Sequence, residues 1–186
     1  SFDEAEDRTP ETELLGTLLG VEVVRAFRDI DTMTPSAKVE AELGIVIGRA
    51  CFQPEHNDID DIIFVYTCVN DVTAPEALFA NDEFHQWCRA KSLPGFGPIG
   101  PCIATGIDPA GLQVRGILDH EVRQDYPVSD MIFPPQVLVS RLSHDMTLLP
   151  GDLIACGTSL GVLPMKSGST VEVVIEGIGT LRNTFE

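Results

Sequence analysis

Basic residues are scarce in this chain. Twelve Lys and Arg stand against 29 Asp and Glu over 186 residues, a formal net charge of −17. So acidic a chain repels phosphate backbones and anionic lipid surfaces, which argues against a nucleic-acid partner and against peripheral membrane binding. Long apolar runs are missing as well: no stretch approaches the length that spans a bilayer. Cys51, Cys68, Cys88, Cys102 and Cys156 include no CxxC pair and are odd in number. A zinc site or a disulfide framework is therefore not expected. The five read as small buried apolar side chains of a protein in a reducing cytoplasm. The N-terminal residues are acidic, not a basic region followed by an apolar run, so no secretory leader is expected.

What is present is ordinary globular material. Hydrophobic residues make up 44% and charged residues 22% of the chain, and the length suits one domain with an extension. The first thirteen residues hold six acids and little that packs, which suggests a solvated arm. From Leu14 to Ala26 the apolar spacing fits strand and helix equally, and residues 30–39 are a loop by composition.

Beyond that point the rhythm is clearer. Leu43–Gly48 and Ile62–Val69 are short apolar runs that read as buried strands. Phe84, Trp87 and Cys88 suggest a short helix within Ala80–Ala90, and Pro94–Pro101 is a Gly/Pro loop. Leu112–Ile117 and Glu121–Gln124 form a hairpin turning at Asp119-His120. Pro134–Met146 opens on prolines and carries apolar residues at helical spacing. Leu153–Cys156, Thr170–Glu176 and Thr180–Phe185 are further strands. Many short strands, 16 Gly and 13 Pro imply a mainly β fold with small helices.

The acids with chemical potential lie beside apolar strands. Glu40 and Glu42 flank Ala41 at the entrance to the Leu43–Gly48 strand, and in extended chain residues i and i+2 share a face. Two carboxylates held together repel unless a cation or a proton neutralises them. Asp71 ends the Ile62–Asn70 strand. If the two strands are neighbours, three carboxylates converge into a hard-cation site for Mg²⁺, Mn²⁺ or Ca²⁺. Taken on spacing alone, three surface acids at strand ends account for the pattern as well.

Ordered motifs change that weighting. Glu40-Ala41-Glu42-Leu43-Gly44-Ile45-Val46-Ile47-Gly48 is followed by Tyr66-Thr67-Cys68-Val69-Asn70-Asp71-Val72-Thr73-Ala74, then by Ala90-Lys91-Ser92 and Gly97-Pro98-Ile99-Gly100-Pro101. Arg123-Gln124, Ser129-Asp130-Met131-Ile132, the run from Leu148 to Thr158 and Gly177-Ile178-Gly179-Thr180-Leu181-Arg182-Asn183 complete the series. From Glu40 to Phe185 the chain resembles the fumarylacetoacetate hydrolase family. The resemblance implies a mixed, rolled, barrel-like β-sheet fold for residues 40–186, with 1–39 as an acidic arm and an incomplete lid region, and it implies a homodimer. It implies a divalent metal, Mg²⁺ or Mn²⁺ and in some members Ca²⁺, on Glu40, Glu42 and Asp71. Lys91 matches the family's active-site lysine. Gln124, Gly157 and Thr158 match positions that approach or bind substrate.

The substrates so implied are small 2-oxo acids: acylpyruvates, oxaloacetate or hydroxymuconate-like diacids. The implied reaction breaks a C–C bond, or moves a proton, through an enolate that the metal stabilises. Two departures bear on it. Many members follow the Asn-Asp run with Arg-Asp-x-x-Gln, where this chain has Pro75-Glu76-Ala77-Leu78. Pro75 and Leu78 offer no side-chain donor, which disfavours hydrolysis and leaves decarboxylation or tautomerisation. Members also carry an upstream Asn-Tyr-x-x-His-x-x-Glu segment. Here His56, His85, His120 and His144 all follow Glu42. Either the protein is reduced, or a mobile lid belongs to residues not in this chain. His85 and His120 read as solvated or core-edge side chains, and Phe84 and Trp87 as core or dimer contacts. The expectation is a metal-dependent cytoplasmic C–C hydrolase or lyase of 2-oxo acids. Its alternatives are an oxaloacetate-type decarboxylase, a hydroxymuconate-type isomerase, or a binding module that has lost catalysis.

Overall fold

The computed structural model describes residues 36–55 and 58–186. The acidic arm, the 14–26 segment and most of the expected lid region lie outside the described residues, as does His56. Ten strands and four short α-helices follow one another among the described residues. In chain order they are β1 (Lys38–Val39), β2 (Ala41–Ile47), α1 (Ile59–Ile62), β3 (Ile63–Asn70), α2 (Pro75–Leu78), α3 (Trp87–Lys91) and β4 (Ile99–Ala104). After these come β5 (Gln113–Leu118), β6 (Glu121–Pro127), α4 (Pro135–Asp145), β7 (Leu153–Ala155), β8 (Leu163–Pro164), β9 (Thr170–Ile175) and β10 (Gly179–Thr184).

The expected mainly β class is observed. Two four-stranded sheets, ordered β4-β3-β2-β7 and β10-β9-β5-β6, accompany a β1-β8 pair. Every pairing among the described residues is antiparallel where a mixed sheet was expected, and the sheets do not close into a barrel. The core contains side chains from both sheets: Leu43, Ile45 and Ile47 of β2 with Val114 of β5 and Val173 and Ile175 of β9. Each is nearly fully buried, a gain of roughly 1.5–3 kcal/mol per side chain. Because odd-numbered β2 residues enter this core, the period of two sends Glu40 and Glu42 to the opposite face. β9 shows the same alternation, with Val171, Val173 and Ile175 buried.

Several local expectations shift. Lys38–Val39, expected as loop, is strand, because Lys38 exchanges backbone hydrogen bonds with Thr73 and pairs with Pro164. The helix expected over 80–90 is only Trp87–Lys91. Ile99–Ala104 leaves the Gly/Pro loop to pair with β3. The hairpin forms as read: Asp119 and His120 both take positive φ, 50° and 70°, the geometry that a two-residue turn between right-twisted strands requires. The Asp119 carboxylate then accepts from Thr170 N and Ser169 Oγ, tying the turn to the start of β9.

All five cysteines are free; against the expected burial, only Cys51 and Cys68 are buried, Cys156 is half-buried, and Cys88 and Cys102 are exposed. Among the described residues no helix is long and apolar enough to cross a membrane.

Candidate metal centre

β2 and β3 are neighbours, with Ala41 opposite Asn70 and Glu42 opposite Val69. The register carries Asp71 to Glu40: the Asp71 N–H donates to the Glu40 carbonyl at 2.9 Å, and the Glu40 N–H donates to Asn70 Oδ1 at 3.0 Å. Glu40, Glu42 and Asp71 thereby bring one carboxylate oxygen each within 4.8 Å of one another.

Lys91 reaches this cluster from α3. Ala90 is fully buried and its carbonyl accepts from Ala74 N–H, which docks the helix beside the segment that follows Asp71. The Lys91 ammonium donates to Glu40 Oε2 at 3.1 Å and to Asp71 Oδ2. Burial works against the charge on Lys91, but the bonds to Asp71 and Glu40 outweigh it and hold the ammonium above its ordinary pKa. The exposed Trp87 ring, one turn earlier on α3, has its centroid 6.0 Å from Lys91 Nζ.

Glu42 is the most buried of the three acids, with 2% exposure. Burial pushes its carboxyl up to about 7, and the charges of Asp71 and Glu40 add to that; the Gly157 N–H and Lys91 pull the other way. A desolvated carboxylate beside two others is the arrangement that a hard divalent cation stabilises, and oxygen-only donors suit Mg²⁺, Mn²⁺ or Ca²⁺. The residues fit the group. Cys156, next to Glu42, is pushed up to about 12 by burial and by that carboxylate, so without a cation it remains a thiol.

The segment after β7 holds Glu42 from the other side. Gly157, with φ of +95°, donates its N–H to Glu42 Oε2 at 2.7 Å. Gln124 and Thr158 lie in the same region, with their polar atoms engaged inside the protein. Gln124 is 1% exposed; its Oε1 accepts from Ala41 N–H at 3.0 Å, and its Nε2 donates to Thr158 Oγ1 at 2.6 Å and to the Ser159 carbonyl at 3.1 Å. Thr158 Oγ1 donates to the Ala41 carbonyl at 2.9 Å.

Tyr126 was missed at the level of sequence. Its hydroxyl donates to the Ala41 carbonyl at 2.8 Å and lies 3.2 Å from that of Gly157. Burial and the neighbouring Glu42 raise its pKa, which keeps it a donor. The signal was there: Tyr126 is two residues from Gln124 on one strand and shares its face. His85 is exposed and packs edge-on against Phe79, with ring centroids 5.0 Å apart, and His120 is exposed in its turn.

Comparison with known proteins gives the cluster a context. The family profile described as "Fumarylacetoacetate (FAA) hydrolase C-terminal" matches residues 10–186. A solved structure of 5-carboxymethyl-2-hydroxymuconate delta-isomerase from Mycobacterium smegmatis superposes with a TM-score of 0.77 at 40% identity, covering 82% of this chain and 59% of that one. Oxaloacetate tautomerase YisK from Bacillus subtilis is 34% identical over 172 residues, 87% of this chain and 55% of that protein. Maleylpyruvate hydrolase from Sphingobium sp. SYK-6, solved in complex with manganese(II) and pyruvate, superposes with a TM-score of 0.71 at 30% identity, covering 81% of this chain and 54% of that one. The chain spans little more than half the length of each of these three relatives.

Proposed function

Because the chain belongs to the fumarylacetoacetate hydrolase family, we propose that it is the metal-dependent catalytic part of an enzyme acting on a small 2-oxo acid. That acid carries a second carbonyl or a carboxylate in the β position. The observation that carries the reading is the convergence of Glu40, Glu42 and Asp71 within 4.8 Å, with Lys91 bonded to two of them. Glu40, Glu42 and Asp71 would hold the cation, Mg²⁺ or Mn²⁺. Bound there, it supplies a Lewis acid that offsets negative charge developing on the substrate. Lys91 places a second positive charge beside the same substrate end, where an ammonium stabilises a developing oxyanion more than the neutral carbonyl before it. Glu42, desolvated and held by Gly157, stays oriented as the cluster's charge changes.

A specific observation favours proton transfer or decarboxylation over hydrolysis. Pro75 opens α2 and Leu78 is buried within it, so neither offers a donor that would orient an attacking water. The similarity to an isomerase and to a tautomerase points the same way. The hydrolase relative keeps C–C hydrolysis as the second reading.

The protein works as a homodimer in this reading. Large apolar side chains stand exposed, among them Phe84, Trp87, Ile103 and Ile132, and a second copy would cover such surface. Sedimentation velocity tests that point.

The functional test is turnover of an acylpyruvate, of oxaloacetate (including its keto–enol interconversion) and of a hydroxymuconate-type diacid, each with Mg²⁺, with Mn²⁺ and after chelation. The expected result is metal-dependent turnover of one class, abolished in Glu40→Ala with the fold intact. A Glu40→Ala variant that keeps both metal content and activity would overturn the reading. A folded wild type that binds metal and turns over none of the three points to the non-catalytic binding module.

A further inference from the structure

Ala41 sits between the two glutamates, and its peptide groups face away from β3. The Glu40 carbonyl and N–H are used toward β3, so those of Ala41 point to the other edge of β2. Among the described residues no strand covers that edge at this level, because β7 pairs with β2 only from Gly44 to Val46. Three side chains do the work of the missing strand. Gln124 takes the Ala41 N–H, while Tyr126 and Thr158 donate to the Ala41 carbonyl. Gln124 then links Thr158 to Ser159, and the neighbouring Gly157 N–H ends the chain of bonds on the Glu42 carboxylate.

The space for this arrangement is built in. Gly116 lies opposite Gln124 in the hairpin register, and a Cβ there would fall 2.9 Å from Gln124 Oε1 and 3.0 Å from Ala41 Cβ. At Gly161 a Cβ would fall 3.2 Å from Gln124 Cγ and 2.1 Å from the Arg123 carbonyl. Two glycines thus leave room for one buried amide.

We propose that Gln124 and Tyr126 are positioning residues for the metal ligands. By holding both polar groups of the Ala41 peptide, they set the backbone from which Glu40 and Glu42 project to one face, and through Thr158 they set the Gly157 N–H that aims Glu42. Outer groups that orient ligands in this way typically contribute about 10–100-fold to metal affinity. The inference rests on the metal reading above and deepens it, moving Gln124 from substrate contact to support of the cation site.

The test is the Mn²⁺ affinity of the full-length protein, read from the electron paramagnetic resonance signal of free Mn²⁺ well below the melting temperature of each variant. Gln124→Met keeps the length and removes the amide; Tyr126→Phe removes one oxygen. Gln136→Met, at a half-buried glutamine bonded to Asp60 and outside this network, is the control. The expected result is Mn²⁺ binding weakened by about tenfold or more in Gln124→Met and about threefold in Tyr126→Phe, with an altered bound-Mn²⁺ spectrum and an unchanged control. A purely structural role would lower the melting temperature and leave the affinity alone. Wild-type affinity in folded Gln124→Met overturns the proposal. If that variant does not fold, wild-type affinity in Tyr126→Phe overturns it. A wild type that takes up no Mn²⁺ overturns the functional reading itself, and this inference with it.

Discussion

Glu42 holds the strongest conflict between burial and charge among the described acids. Its carboxyl is raised from 4.5 to about 7, with burial as the first cause. The sign follows from proton counting. Between pH 4.5 and 7 the folded metal-free protein binds a proton at Glu42 that the unfolded chain does not, so stability falls as pH rises through that window. Glu42→Gln keeps an acceptor for Gly157 and removes the titration. In chelator, its melting temperature should rise relative to wild type as pH goes from 4.5 to 7, and a constant difference would contradict the shift. Lys91 makes a complementary case. Its ammonium shares Glu40 and Asp71 with any incoming cation. Lys91→Met should lower kcat by about 10²–10³-fold while Mn²⁺ binding holds or tightens. Parallel steady-state and binding titrations check this, and weakened binding would assign the lysine to ligand support instead.

At the scale of elements, the 157–161 segment and the β5–β6 hairpin act together. Gly161 has φ of +103°, and its Cα faces the Arg123 carbonyl, leaving no room for a side chain. Gly161→Ala should therefore destabilise the fold by ~3 kcal/mol or more in urea unfolding, combining backbone strain with a clash against main chain. Gly95 supplies the contrast: its φ is +80° with open space around it, so Gly95→Ala should cost only ~1 kcal/mol. Similar losses at both sites would mean that the close approach carries no energy. Elements with strong periodic or turn signals were legible, among them β2, β9, the Asp119-His120 turn and the proline-led α4. α3 was overextended because Asn81–Gln86 is too polar to pack as helix, and Phe84 is 70% exposed. β1 and the start of β4 escaped notice because their pairing partners, Pro164 and Val69, are distant in sequence.

For the whole molecule, net charge governs approach. A chain at −17 repels a dianionic substrate everywhere except near its cations. Salt screens that repulsion, so kcat/KM for whichever of the three acids is turned over should rise a few-fold between about 20 and 200 mM ionic strength, measured at saturating metal. A fall would show that local attraction at Lys91 and the metal dominates the encounter.

By itself the sequence determined the mainly β class, the acidic character and the pairing of Glu40 with Glu42, because period-two alternation and composition are local properties. Its motif order also pointed to Asp71 and Lys91. Only the tertiary structure decided that Asp71 meets that pair and that Lys91 bridges two of the three acids. It also decided that Gln124 and Tyr126 turn inward to Ala41. Those outcomes depend on the β2–β3 register, on α3 docking at Ala74 and on the space left by Gly116 and Gly161. Each is a contact between residues far apart in the chain, and local pattern carries no information about which distant edge a strand will find.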